Sequence, residues 1–350
     1  MPAYLSAIGT AVPRHDIHHA FIGWAKRRVD PRHAALFGRM ASRAGIAHRW
    51  SVLSDEPGSP VEPGGFYADS APGTAARMAI YAEEAPRLAM AAIDDLRGRA
   101  DLTGLTHLVV ASCTGFVAPG LDQIIAARLG LPTVERTLIG FMGCYAAIVA
   151  LRTARHIVRS EPEARVLVVT VELSTLHLQE TDAIEPLLAL LQFGDGAAAA
   201  LVTATPAVTE LGRPFAVTLP DSAALIRWTI TDTGFAMHLD GAVPGQIALA
   251  LRDPALRSAL TGGATPADLV WAVHAGGRSI LDAVEGALEL PATALAASRA
   301  VLEAYGNMSS ATLMFVLARL LAAPPAAGEG VALAFGPGLA AEGLALRFGG

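Results

Sequence analysis

Cys144 lies in a Gly-Cys-Tyr-Ala tetrad, where an apolar, strand-like run ends and a long apolar helix is predicted to begin. A helix N-terminus carries partial positive charge from its unpaired N–H groups, and this charge lowers a cysteine pKa from about 8.5 toward neutrality. Gly143 permits a sharp turn between the strand and the helix. A free cysteine is more often a small buried apolar residue. The combination of turn and helix start nevertheless predicts a nucleophilic thiolate here.

Two further segments could serve such a thiolate. His274 ends an apolar strand-like run and is followed by Ala275 and two glycines, which let the backbone approach a ligand closely. Asn307 follows Gly306 and precedes an apolar helical run, so it could cap the helix or donate its amide to a carbonyl oxygen. A cysteine, a histidine and an asparagine together indicate covalent acyl chemistry, with neutral donors holding an oxyanion.

Composition excludes several other functions. The chain has 350 residues, of which 53% are hydrophobic, enough for one large domain or two fused halves. The formal net charge is −6 and no basic run occurs, so nucleic-acid binding is not expected. The two cysteines do not suggest a disulfide framework, and no signal-peptide pattern is present, which predicts a cytoplasmic protein. No apolar stretch reaches about 18 residues, so no membrane span is predicted.

Hydrophobic patterns predict an α/β fold. Short apolar runs bounded by Gly, Ser or Pro are typical of buried strands, and Ala- and Leu-rich segments with a three-to-four-residue period are typical of helices. The predicted strands are Thr106–Ser112, Arg165–Val171, Ala197–Thr203, Leu269–His274, Gly330–Phe335 and Leu344–Phe348. The predicted helices are Glu84–Leu96, Leu121–Leu129, Tyr145–Arg159, Ser279–Leu288, Ala294–Ala304 and Ser310–Leu321. No CxxC, HExxH or GxGxxG motif occurs, so neither a metal nor a dinucleotide is predicted.

The order of these elements repeats along the chain. The strand predicted from Thr106 precedes Cys144 by as many residues as the strand predicted from Leu269 precedes Asn307. Cys144 and Asn307 each open an apolar helix, and another strand follows each helix. The repetition predicts two related halves, residues 1–205 and 206–350, whose central helices meet at a pseudo-two-fold axis. Cys144 and Asn307 would then share one pocket.

The chain closely resembles the type III polyketide synthases, the chalcone and stilbene synthase-like family, over essentially its whole length. The motifs that carry this resemblance are Gly143-Cys144-Tyr145-Ala146, Phe193-Gly194-Asp195-Gly196-Ala197-Ala198, His274-Ala275-Gly276-Gly277, Gly306-Asn307-Met308-Ser309-Ser310 and Phe335-Gly336-Pro337-Gly338. The resemblance implies a duplicated thiolase fold with α-β-α-β-α layers and a homodimer. It also implies acyl-coenzyme A and malonyl-coenzyme A substrates, with no further cofactor.

The same resemblance implies roles for individual residues. Cys144 would take the starter acyl group, while His274 and Asn307 would activate the thiol, bind the thioester carbonyl and promote decarboxylation of the malonyl group. The residues implied in coenzyme A binding are Arg39, Arg43 and Ser279, and a third basic position of that region is Leu36 here. The residues implied in the substrate cavity are the gatekeeper Phe193 together with Met237, Cys113, Thr114, His177, Ala118 and Ser309.

Several positions depart from the pattern of plant members. Ala275 stands in place of a proline, Met237 in place of a second gatekeeper aromatic, and Ala118 in place of a methionine that reaches across the dimer. His177 aligns with a threonine that tunes plant cavities, in a segment that looks more like bacterial members of the family. A flexible Met and a small Ala favour a longer apolar pocket. We therefore expect a fatty acyl starter and an alkylpyrone or alkylresorcinol product.

Other functions stay open at this point. A chalcone- or stilbene-like or naphthalene-forming synthase would use another starter. A ketoacyl synthase III-type enzyme has the same Cys-His-Asn set but stops after one condensation on acyl carrier protein. A papain-like hydrolase shares the residue types but gives no reason for the duplication. A non-catalytic acyl-binding subunit on this scaffold usually loses the nucleophile, which is present here.

Overall fold

The computed structural model describes residues 1–54, 59–68, 71–325 and 328–349, which contain thirteen strands and eleven α-helices. The strands are β1 (Tyr4–Ala11), β2 (His15–Asp16), β3 (Trp50–Ser51), β4 (His107–Ser112), β5 (Glu135–Gly140), β6 (Val166–Leu173), β7 (Asp195–Thr203), β8 (Thr209–Thr218), β9 (Ile226–Thr231), β10 (Gly234–Leu239), β11 (Val270–Val273), β12 (Gly328–Gly336) and β13 (Ala340–Phe348). The helices are α1 (His18–Arg28), α2 (Ala34–Ser42), α3 (Thr74–Arg97), α4 (Leu121–Leu129), α5 (Ala146–Ser160), α6 (Ile184–Leu190), α7 (Val243–Arg252), α8 (Pro254–Thr261), α9 (Arg278–Leu288), α10 (Ala296–Tyr305) and α11 (Ser310–Ala322).

Nine strands form one mixed sheet in the order β11-β12-β13-β8-β1-β7-β6-β4-β5. From the centre outward, β1-β7-β6-β4 and β8-β13-β12-β11 repeat the same sequence of antiparallel, antiparallel and parallel pairings. The two halves of the sheet meet where β1 pairs with β8 through Tyr4 with Glu210 and Leu5 with Thr209. The sheet therefore shows the pseudo-two-fold relation that the spacing predicted, with β5 added at one edge.

Three apolar clusters show how the layers stack. α5 and α11 lie between the two halves of the sheet, where Leu151 and Met314 belong to the same buried cluster as Val168 of β6. The next residue of β6, Val169, faces the opposite side and packs with α3 and α4. α7 and α9 cover the outer face of the second half. A strand buried on both faces reads as a continuous apolar run. The layers are α-β-α-β-α, as predicted.

All six predicted strands and all six predicted helices occur, but the two central strands β1 and β8 were not predicted. Gly9 interrupts the pattern of β1, and Gly212 and Pro214 interrupt that of β8. Gly9 has a tertiary role, because a Cβ atom there would lie 2.2 Å from the backbone nitrogen of Leu96. Only glycine lets α3 approach β1 this closely.

Helix α3 is longer than predicted, starting at Thr74 and continuing through Pro86. Proline is favoured in the first turn of a helix and costs a hydrogen bond farther along. Pro86 is buried here, so tertiary packing maintains the helix through it. Among the described residues, no helix combines the length and apolar character needed to cross a membrane.

Candidate active site

Cys144, His274 and Asn307 line one cavity of about 680 Å³ between the two halves of the molecule. Cys144 comes from the first half, and His274 and Asn307 come from the second. Of the residues implied in the cavity by resemblance, the structure places five on its wall: Cys113, Thr114, Phe193, Met237 and Ser309. It does not place His177 or Ala118 there. The duplicated fold thus brings together residues that are far apart in sequence.

Cys144 is positioned by a tight turn just before α5. Gly143 adopts φ +81°, and a Cβ atom there would lie 2.5 Å from Cδ of Pro337. A Cβ atom on Gly336 would lie 2.5 Å from the Tyr145 ring. The Gly-Cys-Tyr and Phe-Gly-Pro-Gly motifs therefore fit against each other across the halves of the chain. Glycine is required at 143 both for its backbone conformation and for this contact.

The predicted lowering of the Cys144 pKa is not what the structure supports. Burial raises the pKa of the Cys144 thiol to about 11. Hydrogen bonds from Ser309 and Asn307 act in the opposite direction, and the nearby Glu172 carboxylate raises the pKa further. The helix start does not offset the loss of water around the sulfur. In the closed cavity Cys144 is accordingly a thiol.

His274 follows β11, and its main-chain N–H donates to the carbonyl of Leu333 (2.8 Å). Neither ring nitrogen of His274 has a hydrogen-bond partner among the described residues, although the side chain is buried. Burial lowers the pKa of His274 to about 3, so the imidazole is neutral at pH 7. A Cβ atom on Gly276 would lie 3.3 Å from the imidazole, so this glycine gives the ring its space. A buried imidazole with both nitrogens unpaired can serve a ligand as proton acceptor or donor.

Asn307 has a fixed amide orientation. Its Nδ2 donates to the carbonyl of Gly276 (3.1 Å), and its Oδ1 accepts from the main-chain N–H of Ser309 (2.8 Å). Its own main chain donates to Gln192 (2.7 Å) and accepts from Gly194 (3.0 Å), which joins it to the segment around Phe193. Its other Nδ2 hydrogen is the one directed to the Cys144 sulfur. The amide is therefore oriented as a hydrogen-bond donor at the cavity, whereas the sequence alone left open a simple helix cap.

A buried carboxyl group, Glu172, supports the wall beside Cys144. It accepts from the main-chain N–H of Cys113 (3.0 Å), from Oγ1 of Thr114 (2.8 Å) and from Oγ of Ser310. The Cys113 thiol lies 3.4 Å from both Glu172 oxygens and 3.2 Å from Oγ of Ser309. Burial and the adjacent carboxylate raise the pKa of Cys113, which makes it a poor nucleophile. The sequence analysis did not single out Glu172.

Ser309 and His177 were both expected to line the cavity, but only Ser309 does so. Ser309 lines the cavity with φ +48°, a conformation that costs a non-glycine residue free energy and is typical of functional sites. His177 lies behind the wall, stacked on Phe235 with ring centroids 4.2 Å apart. Its Nε2 donates to the carbonyl of Thr114 (2.6 Å), and its Nδ1 accepts from the main-chain N–H of Phe235 (3.1 Å). Both nitrogens of His177 are satisfied, so its role here is structural.

One wall of the cavity comes from the β9–β10 hairpin, which was not predicted from the sequence. Trp228 of β9 pairs with Met237 of β10, and both side chains line the cavity. The alternation from Ile226 onward and the Asp-Thr-Gly turn at 232–234 were the available signals. Ala118 is exposed on the loop between β4 and α4 and is not among the residues that line this chain's own cavity.

A second, outer cavity of about 1230 Å³ adjoins the first. Arg43 and Ser279 line it, as the resemblance implied, together with Gln192 and Arg278. Arg39 is exposed but is not one of its lining residues. Gln192 borders the outer cavity and the next residue, Phe193, borders the inner one. The segment of Gln192 and Phe193 therefore lies between the two cavities. No group of His, Cys, Asp or Glu side chains suited to a metal occurs in the described residues.

Models of known protein families match almost the whole chain. The model of the chalcone and stilbene synthase N-terminal domain matches residues 1–206, and that of the C-terminal domain matches residues 211–348. A bisdemethoxycurcumin synthase of Oryza sativa subsp. japonica is 34% identical over 378 residues, covering 96% of this chain and 90% of that protein.

Solved structures give the same result. The C-terminal type III polyketide synthase domain of Steely1, a type I/III hybrid from Dictyostelium, superposes with a TM-score of 0.91 at 26% identity, covering 99% of each chain. PKS-I from the brown alga Ectocarpus siliculosus superposes with a TM-score of 0.88 at 28% identity, covering 99% of this chain and 98% of that one. The similarity extends over the whole of the fold that builds the cavity.

Proposed function

Because the chain belongs to the chalcone and stilbene synthase family of type III polyketide synthases, we propose that it loads an acyl-coenzyme A starter on Cys144 and extends it with malonyl-coenzyme A. Members of this family are acyltransferases that catalyse decarboxylative condensation. In our proposal residues 1–205 supply the nucleophile and residues 206–350 supply His274 and Asn307. The homodimer typical of the family and a cytoplasmic location belong to the same proposal.

The loading step uses the two neutral groups beside the sulfur. His274 takes the Cys144 proton as the sulfur attacks the thioester carbonyl. The remaining Nδ2 hydrogen of Asn307 and the protonated imidazole then donate to the oxyanion. When the tetrahedral intermediate collapses, coenzyme A leaves as a thiolate and takes the proton from His274, whose imidazole becomes neutral again. The acyl group remains on Cys144 as a thioester.

The extension step uses the same donors. The malonyl thioester loses carbon dioxide, and the resulting enolate oxygen accepts hydrogen bonds from His274 and Asn307. Neutral donors stabilise this enolate without protonating its carbon early. The enolate carbon attacks the Cys144 thioester, and the lengthened chain returns to the sulfur for another round before it cyclises. The observation that carries the proposal is the cavity in which an unpaired imidazole and an oriented amide adjoin a buried thiol.

For the starter we propose a fatty acyl group, giving an alkylpyrone or alkylresorcinol. The support is the apolar wall of the cavity, to which Ile226, Met237, Leu239, Val243 and Phe335 contribute. Burial of each methylene in such a wall is worth about 0.8 kcal/mol, which favours a hydrocarbon chain over a polar one. Chalcone- or stilbene-like and naphthalene-forming reactions are the alternatives.

The test is incubation of the protein with malonyl-coenzyme A and starters from acetyl- to palmitoyl-coenzyme A, plus an aromatic starter, with products identified by mass spectrometry. We expect long acyl starters to give the highest kcat/KM and cyclised products from two or three extensions. Turnover of only short or aromatic starters would contradict the fatty acyl assignment. A single β-keto product formed on acyl carrier protein would instead indicate a ketoacyl synthase III-type enzyme.

A further inference from the structure

Two arginines lie on the rim of the outer cavity. Arg43 follows the last turn of α2, and Arg278 is the first residue of α9; both side chains line the cavity. They come from opposite halves of the chain. The residue types around them include Gln192 and Ser279, which are neutral, and Asp282, which is acidic.

The structure holds the two arginines close together. Nη1 of Arg278 donates to the main-chain carbonyl of Arg43 (3.1 Å). Nε of Arg278 lies 3.5 Å from Asp282, but Asp282 is closer to Arg299 (2.8 Å), which also pairs with Glu285 (2.9 Å). The carboxylate next to Arg278 is thus shared with another cation. The rim keeps an excess of positive charge, and an anionic ligand would reduce the repulsion between Arg43 and Arg278.

The position of this rim fits one end of a coenzyme A thioester. Arg278 and Ser279 border the outer cavity, while the adjacent Gly276 and Ile280 border the cavity that contains Cys144. A molecule with its reactive thioester at Cys144 can therefore place its distal end at the rim. Leu36, which is 40% exposed, is not one of the residues that line this cavity.

We propose that Arg278 is a phosphate-binding residue for coenzyme A thioesters and that, with Arg43, it supplies positive charge at this rim. This inference rests on the proposed function, because it identifies the contact at the other end of the same substrate. Guanidinium groups suit phosphate oxygens because their N–H donors match the spacing of those oxygens and stay charged. The hydrogen bond to the Arg43 carbonyl holds the Arg278 side chain against the segment that carries Arg43.

The test compares Arg278→Gln with Arg278→Lys, using Arg128→Gln on the exposed end of α4 as a control. Glutamine can still donate a hydrogen bond to the Arg43 carbonyl but has no charge. We expect Arg278→Gln to raise KM for malonyl-coenzyme A about five- to tenfold with kcat changed less than twofold. Arg278→Lys should recover most of the affinity, and Arg128→Gln should have no effect.

Malonyl-pantetheine, which lacks the nucleotide and its phosphates, separates phosphate binding from distortion of the site. Its kcat/KM should be the same for Arg278→Gln and the unaltered protein. An equal loss on malonyl-pantetheine, or no loss on malonyl-coenzyme A, would overturn the inference.

Binding of free coenzyme A by calorimetry keeps the inference testable if no condensation is found. Weaker binding to Arg278→Gln by about five- to tenfold would then support the phosphate site while the proposed function fails. Equal binding to both proteins would overturn the phosphate site itself. Tighter or equal binding of dephospho-coenzyme A relative to coenzyme A would place Arg278 at the diphosphate rather than at the 3′-phosphate.

Discussion

The inner and outer cavities differ in how much solvent reaches the titratable groups that line them. In the inner cavity, burial keeps Cys144 and His274 neutral, with pKa values moved to about 11 and about 3. On the outer rim, Arg43 and Arg278 are exposed to solvent. A dry site makes each hydrogen bond stronger but penalises ions. Our proposal uses this contrast: neutral donors would handle the reacting thioester, and solvated cations would bind the distal part of the substrate.

The largest effect should follow from removing the nucleophile. Cys144→Ala should abolish starter loading and chain extension, a loss of at least about 10³-fold. Intact-protein mass spectrometry after addition of an acyl-coenzyme A would show no acyl adduct. Cys113→Ala is the control, and it should retain the adduct because Cys113 is a wall residue with a raised pKa. Loading that persists in Cys144→Ala would assign the chemistry to another residue.

Loss of one donor should have the next largest effect. Asn307→Ala removes the amide whose Nδ2 is oriented by Gly276, and we expect a loss of about 10²- to 10³-fold in release of carbon dioxide from malonyl-coenzyme A. Alkylation of Cys144 should fall far less, because the thiol and His274 remain. Equal declines in decarboxylation and alkylation would contradict a donor role for Asn307 and would show that the residue is only structural.

The protonation of Cys144 gives a pH-dependent prediction. Because burial raises its pKa to about 11, the thiolate fraction increases only as the pH rises toward that value, unless His274 takes the proton. His274→Gln should therefore slow alkylation by iodoacetamide at pH 7 by about tenfold or more. Its rate should keep rising through pH 10, and the two proteins should converge only above pH 11, where the thiol is ionised in both. Superimposable rate profiles would show that the imidazole does not share the thiol proton.

The smallest expected effect is that of ionic strength on KM for malonyl-coenzyme A. Raising ionic strength from about 0.05 M to 0.5 M screens exposed charges, so KM for malonyl-coenzyme A should rise about two- to threefold. Alkylation of Cys144 should not respond, because buried groups are screened much less. Malonyl-pantetheine, which lacks the phosphates and keeps only the malonyl carboxylate, serves as the comparison. A salt effect of equal size on both substrates would mean that the outer rim does not distinguish them electrostatically.

Particular residues show how far sequence reasoning reached. The apolar run of β6 and the helix opening after Cys144 have strong local patterns, and the structure forms both elements. The β9–β10 hairpin escaped prediction because its strands are mixed in polarity, and with it Trp228 was missed. Arg278 belongs to none of the motifs recognised in the sequence. Only the folded chain shows that its side chain donates to the main-chain carbonyl of Arg43. The catalytic and binding roles of all these residues stay predictions.

The sequence by itself determined the strongly patterned elements and the residue types of the site, because hydrophobic period, glycine turns and the repeated order of strands and helices are local properties. It therefore indicated a duplicated α/β fold in which Cys144 and Asn307 converge. Only the tertiary structure decided which groups are ionised and which charges are neighbours. Burial depends on every element packed around a group, and the contact between Arg43 and Arg278 joins opposite halves of the chain.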